Sequence, residues 1–153
     1  MNRNALRFSG YAPGFTLIEI LIVMALIGII AAIAIPSYSN GVMKSKRQIG
    51  KAELMKVISR QEQFFVNNKS YATDLTNLGY STNPYFIDDQ GNEIAAGTSI
   101  YQVSLIAPTA TGFSVRVTPQ NAQTSDTQCA SMEITSTGQK SIVGGAGTVA
   151  TCW

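Results

Sequence analysis

The sequence predicts an α+β fold in which a long amino-terminal helix packs on an antiparallel β-sheet. Three observations support this fold. An apolar run with a single charged residue covers residues 15–35. An amphipathic pattern without proline follows over residues 37–67. Further along the chain, three segments alternate apolar and polar residues with a period of two. A helix followed by strands is typical of α+β domains, where the helix covers one face of the sheet.

The apolar run, residues 15–36 with its closing proline, is long enough to cross a membrane as one helix, because about 20 apolar residues span the hydrocarbon core. Glu19 is its only charged residue. A carboxylate at the centre of such a span costs roughly 2.5–3.5 kcal/mol, and less near an end. Charged groups in these segments usually have a function. Gly28 and Pro36 interrupt the helical pattern, since proline removes an internal hydrogen bond. The pattern leaves open whether a static kink or a local melting point lies between them.

The amphipathic segment extends this helix to about residue 67. Its apolar residues recur at spacings of three and four, with charged residues between them, which predicts one buried stripe. That stripe comprises Ile49, Ala52, Leu54, Met55, Val57, Ile58, Phe64 and Phe65. Turn-forming residues then predict a loop over residues 68–99, held to the helix by Tyr71, Leu75 and Leu78.

The three alternating segments are residues 101–105, 113–118 and 131–135. Period-two alternation predicts strands with one buried face. The link over residues 108–112 is short enough for an antiparallel hairpin between the first two strands. We expect the face of the sheet away from the helix to be polar, facing solvent or a neighbouring molecule.

The chain has two cysteines, Cys129 and Cys152. In an exported chain, such a pair indicates a disulfide that closes residues 129–152, a region rich in Ser, Thr and Gly. Two unrelated buried thiols are the alternative. Zinc is not expected with two sulfur ligands and no histidine.

The segment Gly14-Phe15-Thr16-Leu17-Ile18-Glu19 precedes and enters the apolar run. With the short basic leader before it, it resembles the prepilin cleavage motif of type IV pilins (the class III, N-methylphenylalanine leader) and of type II secretion pseudopilins. Residues 61–80 and the final Cys152-Trp153 are most similar to PilE-like pilins, some of which are minor pilins. The resemblance implies that prepilin peptidase cuts after Gly14, that the new Phe15 amine is methylated, and that Glu19 acts with Phe15 in assembly.

The same resemblance implies a division of the chain. Residues 1–14 would be the cleaved leader, residues 15–36 the transmembrane and filament-core helix, and residues 37–153 an extracytoplasmic globular domain. The implied partners are membrane lipid before assembly, the inner-membrane pilus assembly machinery, and other pilin subunits through the helix. The implied location is the inner membrane, with the domain in the periplasm, and then the extracellular pilus. Melting between Gly28 and Pro36 during assembly also fits the family.

Several functions remain open on the sequence alone. The chain could be a major or minor structural subunit of a filament used in motility, adhesion or DNA uptake. It could instead be an adhesive minor pilin at the tip, or a pseudopilin of type II secretion. A conventional signal peptide is a rival interpretation, because Ala32-Ile33-Ala34 resembles a cleavage site, although the apolar run is longer than a typical signal core.

The sequence gives little indication of catalysis, metal binding or nucleic-acid binding. The chain has no histidine, the commonest general base, and no nucleophile paired with a base, so we expect no enzyme, cofactor or metal. Residues 88–93 offer oxygen ligands, but their spacing does not match a calcium loop, and they predict a solvated turn. Without Arg3 and Arg7, nine basic residues balance nine acidic ones. No general nucleic-acid binding is therefore expected.

Overall fold

A computed structural model describes residues 14–153. The chain divides into two compact units, with the boundary between Ser39 and Asn40. Except for Gly14, the expected leader lies outside the described residues.

The first unit contains the beginning of helix α1, which extends from Leu17 to Asn68. Its apolar side chains up to Ile35 are largely exposed; Leu17 is 78% exposed and Ile35 is 69% exposed. Within residues 14–153, α1 is the one helix long and apolar enough to cross a membrane. The helix continues through Gly28 and Pro36, so the melting suggested for assembly stays a prediction.

The second unit contains a six-stranded antiparallel sheet with the strand order β2-β1-β3-β4-β5-β6. Its strands are β1 (Tyr85–Ile87), β2 (Glu93–Ile94), β3 (Tyr101–Ile106), β4 (Ser114–Pro119), β5 (Ser131–Thr135) and β6 (Lys140–Val143). A short helix, α2 (Val149–Cys152), follows β6. The α+β prediction is confirmed, as are the three predicted strands. So is the β3–β4 hairpin, in which Val103 lies opposite Val117.

The prediction for residues 68–99 was incomplete. That segment contains 3₁₀ turns at Leu75–Leu78 and Ala96–Thr98, but it also contains β1 and β2. These strands have three and two residues, too few for alternation to be distinguished from chance. They form because β1 pairs with β3, which places Tyr85 opposite Val103.

The core lies between the second half of α1 and one face of the sheet. Leu54 and Val57 of the helix belong to one buried cluster with alternate residues of the strands. Gly50 permits the close approach of the two layers, because a Cβ there would lie 3.0 Å from the Tyr101 ring.

The predicted apolar stripe was partly wrong. Ala52 and Met55 are exposed, whereas the polar residues Glu53 and Gln61 are buried. The buried face follows Gly50, Leu54, Val57 and Gln61, which recur every three or four residues as a helix face requires.

Candidate functional site

The described residues on either side of the expected cleavage site, Gly14 and Phe15, are exposed. Gly14 has nothing within 4 Å of the position of a Cβ atom, and Phe15 is 79% exposed. Helix α1 begins two residues later, at Leu17. Protease access to the bond after Gly14 is therefore sterically open in the described residues.

Thr16 and Glu19 form a reciprocal cap at the start of α1. The Glu19 amide donates to the Thr16 hydroxyl oxygen at 3.3 Å, and the Thr16 amide donates to a Glu19 carboxylate oxygen at 3.5 Å. This is the capping-box arrangement of a Thr followed three residues later by a Glu, which satisfies two free amides of the first turn. The sequence contains this signal, but our sequence interpretation did not use it. Glu19 therefore has a structural role at the start of its own helix.

The Cys129–Cys152 disulfide is present, with Cα atoms 5.5 Å apart, which confirms that prediction. Both cysteines are buried. The chain between them folds back tightly: the Gly147 amide donates to the Gln128 carbonyl oxygen at 2.7 Å. A Cβ at Gly145 would lie 2.5 Å from that same oxygen, so this approach requires glycine.

An ion pair joins α1 to the segment directly before the disulfide-closed region. The Arg47 guanidinium donates through Nε and, at 2.6 Å, through a terminal nitrogen to the Asp126 carboxylate. The hydrogen bond to Asp126 raises the pKa of Arg47. Asp126 also accepts the Cys129 amide at 3.2 Å, so one buried carboxylate holds both the helix and the disulfide.

Trp153 is held beside the same region. Its indole NH donates to the Ser141 carbonyl oxygen at 3.1 Å, and its ring centroid lies 5.1 Å from the Lys140 ammonium. The Lys51 ammonium donates to the Trp153 carbonyl oxygen at 3.0 Å, and burial lowers the pKa of Lys51. These contacts cover the β6 edge of the sheet.

A polar groove lies between the start of the second unit and the disulfide-closed region. Its volume is about 670 Å³. One wall is the α1 turn with Asn40 and Lys44, and the other includes Thr127, Gln128 and Thr148. Sequence reasoning did not find this groove, because its walls come from segments far apart in the chain.

Two buried polar side chains of α1 were also missed. Glu53 accepts a hydrogen bond of 2.7 Å from the Tyr85 hydroxyl and pairs with Lys56. Gln61 donates to the Ala72 carbonyl oxygen and accepts the Ala72 amide, both at 2.9 Å. Glu53 therefore holds the helix against β1, and Gln61 holds it against the loop that follows α1. Both side chains need these hydrogen bonds, because a buried polar group without a partner is costly.

Residues 88–92 of the acidic segment form the predicted turn, and Glu93 begins β2. The Asp88 carboxylate accepts hydrogen bonds from the amides of Gln90 and Asn92, both at 2.9 Å. These hydrogen bonds lower the pKa of Asp88. Its oxygens therefore hold the turn itself together.

The chain matches the models of two known families. A model of the family described as "Type IV minor pilin ComP, DNA uptake sequence receptor" matches residues 36–133. A second model, "Prokaryotic N-terminal methylation motif", matches residues 12–35.

Among curated relatives, the chain is 39% identical over 75 residues to the type IV major pilin protein PilA of Myxococcus xanthus, a match covering 49% of this chain and 34% of PilA. It is 37% identical over 76 residues to the type IV wide pilus major component PilA4 of Thermus thermophilus, covering 48% of this chain and 58% of PilA4. The matched part of this chain thus spans about a third of the length of PilA and somewhat over half of the length of PilA4.

A solved type IV pilin from Shewanella oneidensis is 17% identical, with a TM-score of 0.41, and covers 71% of this chain and 97% of that structure. The minor-pilin family model covers more than half of the chain, and the methylation-motif model covers the segment around Gly14 and Phe15. The chain therefore belongs to the type IV pilin family.

Proposed function

We propose that this protein is a structural subunit of a type IV pilus, held in the membrane by the first part of α1 before assembly. The observation that carries the proposal is the exposed apolar surface of residues 17–35 directly after an accessible Gly14. Such a surface needs lipid or other apolar helices around it, since a soluble monomer rarely exposes a large apolar patch. In the filament, the same surface packs against the helices of other subunits.

Processing comes first. Prepilin peptidase cuts between Gly14 and Phe15, and the Phe15 amine is methylated. The open space around Gly14 and the exposure of Phe15 support this step. Mass spectrometry of the membrane or filament form should find a chain that begins at methylated Phe15. A mature chain that begins at Ile35 would instead support a conventional signal peptide.

Glu19 acts in assembly. Cleavage creates a positive amine at Phe15, and Glu19 of one subunit pairs with the Phe15 amine of a neighbour in the filament core. The pairing is favourable because a carboxylate in an apolar core is costly without a partner. The alternative is an interfacial glutamate that only reaches the lipid headgroups. Glu19→Ala should leave cleavage and membrane insertion largely intact while blocking incorporation into filaments.

The machinery and locations follow from this assignment. The precursor resides in the inner membrane with residues 37–153 in the periplasm, where the Cys129–Cys152 disulfide can form and persist. The inner-membrane assembly machinery then transfers it to the extracellular pilus. Local melting of α1 between Gly28 and Pro36 accompanies that transfer, because glycine and proline weaken a helix there.

The abundance of the chain in filaments sheared from cells tests its structural role. A bulk subunit dominates such a preparation, an adhesive tip subunit is scarce in it, and a pseudopilin of type II secretion is absent. Gel and mass analysis of the sheared fraction, normalised to the processed form in membranes, separates these three roles. Complete absence from sheared filaments would overturn the assignment as a pilus subunit.

Recognition of DNA is a second candidate function, because the matching family model describes a DNA uptake sequence receptor. Residues 40–153 carry nine basic and eight acidic side chains, which gives little nonspecific attraction to phosphates. A receptor of this composition would depend on contacts with particular bases. Filaments should then retain one DNA sequence over a scrambled duplex at 150–200 mM salt, roughly the range in which nonspecific binding weakens. Equal retention of both duplexes would exclude this function.

A further inference from the structure

The charged side chains of the second unit are almost all satisfied within the subunit. Ion pairs join Arg47 to Asp126, Lys56 to Glu53, and Arg116 to Glu133. The other partnered cations contact carbonyl oxygens or an aromatic ring: Lys51, Arg60, Lys69 and Lys140. The other partnered carboxylates accept hydrogen bonds: Glu62, Asp74, Asp88 and Glu93.

Three charged side chains of residues 40–153 are left without any such partner: Lys44, Lys46 and Asp89. Lys44 and Asp89 are exposed. In a filament of identical subunits, a neighbouring copy can provide the missing partner, because every copy carries both the unpaired lysines and the unpaired aspartate.

Lys44 and Asp89 lie on opposite flanks of α1. Lys44 lines the polar groove on the flank of the disulfide. Asp89 belongs to the β1–β2 turn, which lies on the other flank, since a Cβ at Gly91 would be 3.7 Å from the Ile49 side chain. Lys44 and Ile49 are five residues apart, about 140° around a helix of 3.6 residues per turn.

We propose that the β1–β2 turn of one subunit docks into the polar groove of its neighbour, with Asp89 pairing with Lys44. The proposal rests on the proposed function as a pilus subunit, and the occupant of the groove is a second copy of this chain. A contact between two different patches is head-to-tail, and repeating it produces an open helical filament when the rotation between copies does not close a ring. A turn with exposed polar residues on one flank and a groove on the other meet this requirement.

The groove suits a polar turn. Beside Lys44, it presents four side chains that make no hydrogen bond within the described residues: Asn40, Ser125, Thr127 and Gln128. The turn presents exposed Asp89, Gln90 and Asn92. Amides and hydroxyls can both donate and accept, so these side chains can form a hydrogen-bonded rim around one ion pair. Such a pair fixes register more than it adds affinity.

Charge reversal tests the pair. In cells whose only copy of this chain is the variant, Lys44→Glu or Asp89→Lys should each lower the amount in sheared filaments by about fivefold, because attraction becomes repulsion. Combining the two changes should restore incorporation to within about twofold of the unaltered chain. Lys46→Glu is the matched control: Lys46 precedes Ile49 by one helical turn on the flank of Asp89, and its reversal should change incorporation by less than about twofold.

A cross-link provides a direct readout. Lys44→Cys combined with Asp89→Cys should give a ladder of disulfide-linked multimers from sheared filaments, and neither single change should do so. Failure of the ladder together with failure of the double reversal to restore incorporation would overturn the docking proposal. If the unaltered chain is abundant in filaments, only the docking is wrong. If the unaltered chain is missing from filaments, the assignment as a pilus subunit fails instead.

Discussion

Arg47 of α1 and Asp126, three residues before Cys129, form a two-point ion pair although they are 79 residues apart in the chain. The Arg47 side chain is 12% exposed and that of Asp126 is 1% exposed. Asp126 also holds the Cys129 amide. This carboxylate therefore connects the helix, the disulfide and one wall of the polar groove.

Removing the Asp126 charge should destabilise the domain. Asp126→Asn leaves the Arg47 guanidinium largely buried without its counterion, which should cost about 3 kcal/mol. Thermal unfolding of the detergent-solubilised chain measures the loss. Glu133→Gln is the matched control, because the partner in that pair, Arg116, is 28% exposed, and its loss should cost less than about 1 kcal/mol. Equal effects of the two variants would contradict the role assigned to Asp126.

Glu19→Gln separates the two roles of that carboxylate. Glutamine keeps the capping-box hydrogen bond with Thr16 but removes the charge. If pairing with a neighbouring Phe15 amine drives docking, Glu19→Gln should block incorporation as strongly as Glu19→Ala. Thr16→Val, which removes the cap and keeps the charge, should retain most incorporation. The measurement is the ratio of sheared to membrane-bound processed chain. Incorporation of Glu19→Gln at the unaltered level would show that capping, and not charge, is what assembly requires.

Reduction of the disulfide should loosen one region before the rest of the domain. Within the loop that the bridge closes, residues 144–151 contribute no side chain to the buried apolar cluster, and opening a loop of this size costs roughly 3 kcal/mol on the chain-entropy model. Hydrogen exchange should therefore rise first in residues 144–152 and only later around Leu54 and Val57. Cys129→Ser should also lower the protein level in cells. Free reaction of both thiols with an alkylating reagent in native filaments would show that the bridge is absent there.

Stability should fall above pH 10. Burial raises the pKa of Tyr80 and of Tyr101 to about 12 from 10.0, and burial also raises the pKa of Tyr85. Between pH 10 and 12 the unfolded chain loses protons that the folded chain keeps. In this pH range, each of these tyrosines therefore lowers the free energy of unfolding by about 1.4 kcal/mol per pH unit. Below pH 10 they do not change the free energy of unfolding, because they are protonated in both states. Urea unfolding at several pH values measures this slope.

Tyr80→Phe should flatten the alkaline slope. The Tyr80 hydroxyl is buried and has no hydrogen-bond partner among the described residues, so its removal should cost little at neutral pH. Tyr38→Phe is the control, because Tyr38 is 77% exposed. An alkaline slope unchanged by Tyr80→Phe would contradict the assignment of this effect to buried tyrosines.

Local pattern was sufficient for the long elements and insufficient for the short ones. Helix α1 and strands β3, β4 and β5 each repeat their period often enough to be recognised, because each buries one face along its whole length. Strands β1, β2 and β6 have two to four residues and exist through pairing with longer neighbours. The capping box of Thr16 and Glu19 was available in the sequence and was overlooked.

The sequence by itself determined the features that depend on neighbouring residues. These are the membrane-length apolar segment, the motif from Gly14 to Glu19, and the alternating strands, because composition and period act over a few turns or a few strand residues. The disulfide could be predicted from the pair of cysteines together with the resemblance to an exported family. The tertiary structure alone decided which face of α1 meets the sheet, and it alone brought Glu53 to Tyr85 and Arg47 to Asp126. Those contacts join residues that are 32 and 79 positions apart in the chain. Such pairs depend on how the whole chain folds, and a repeating pattern of neighbouring residues does not predict them.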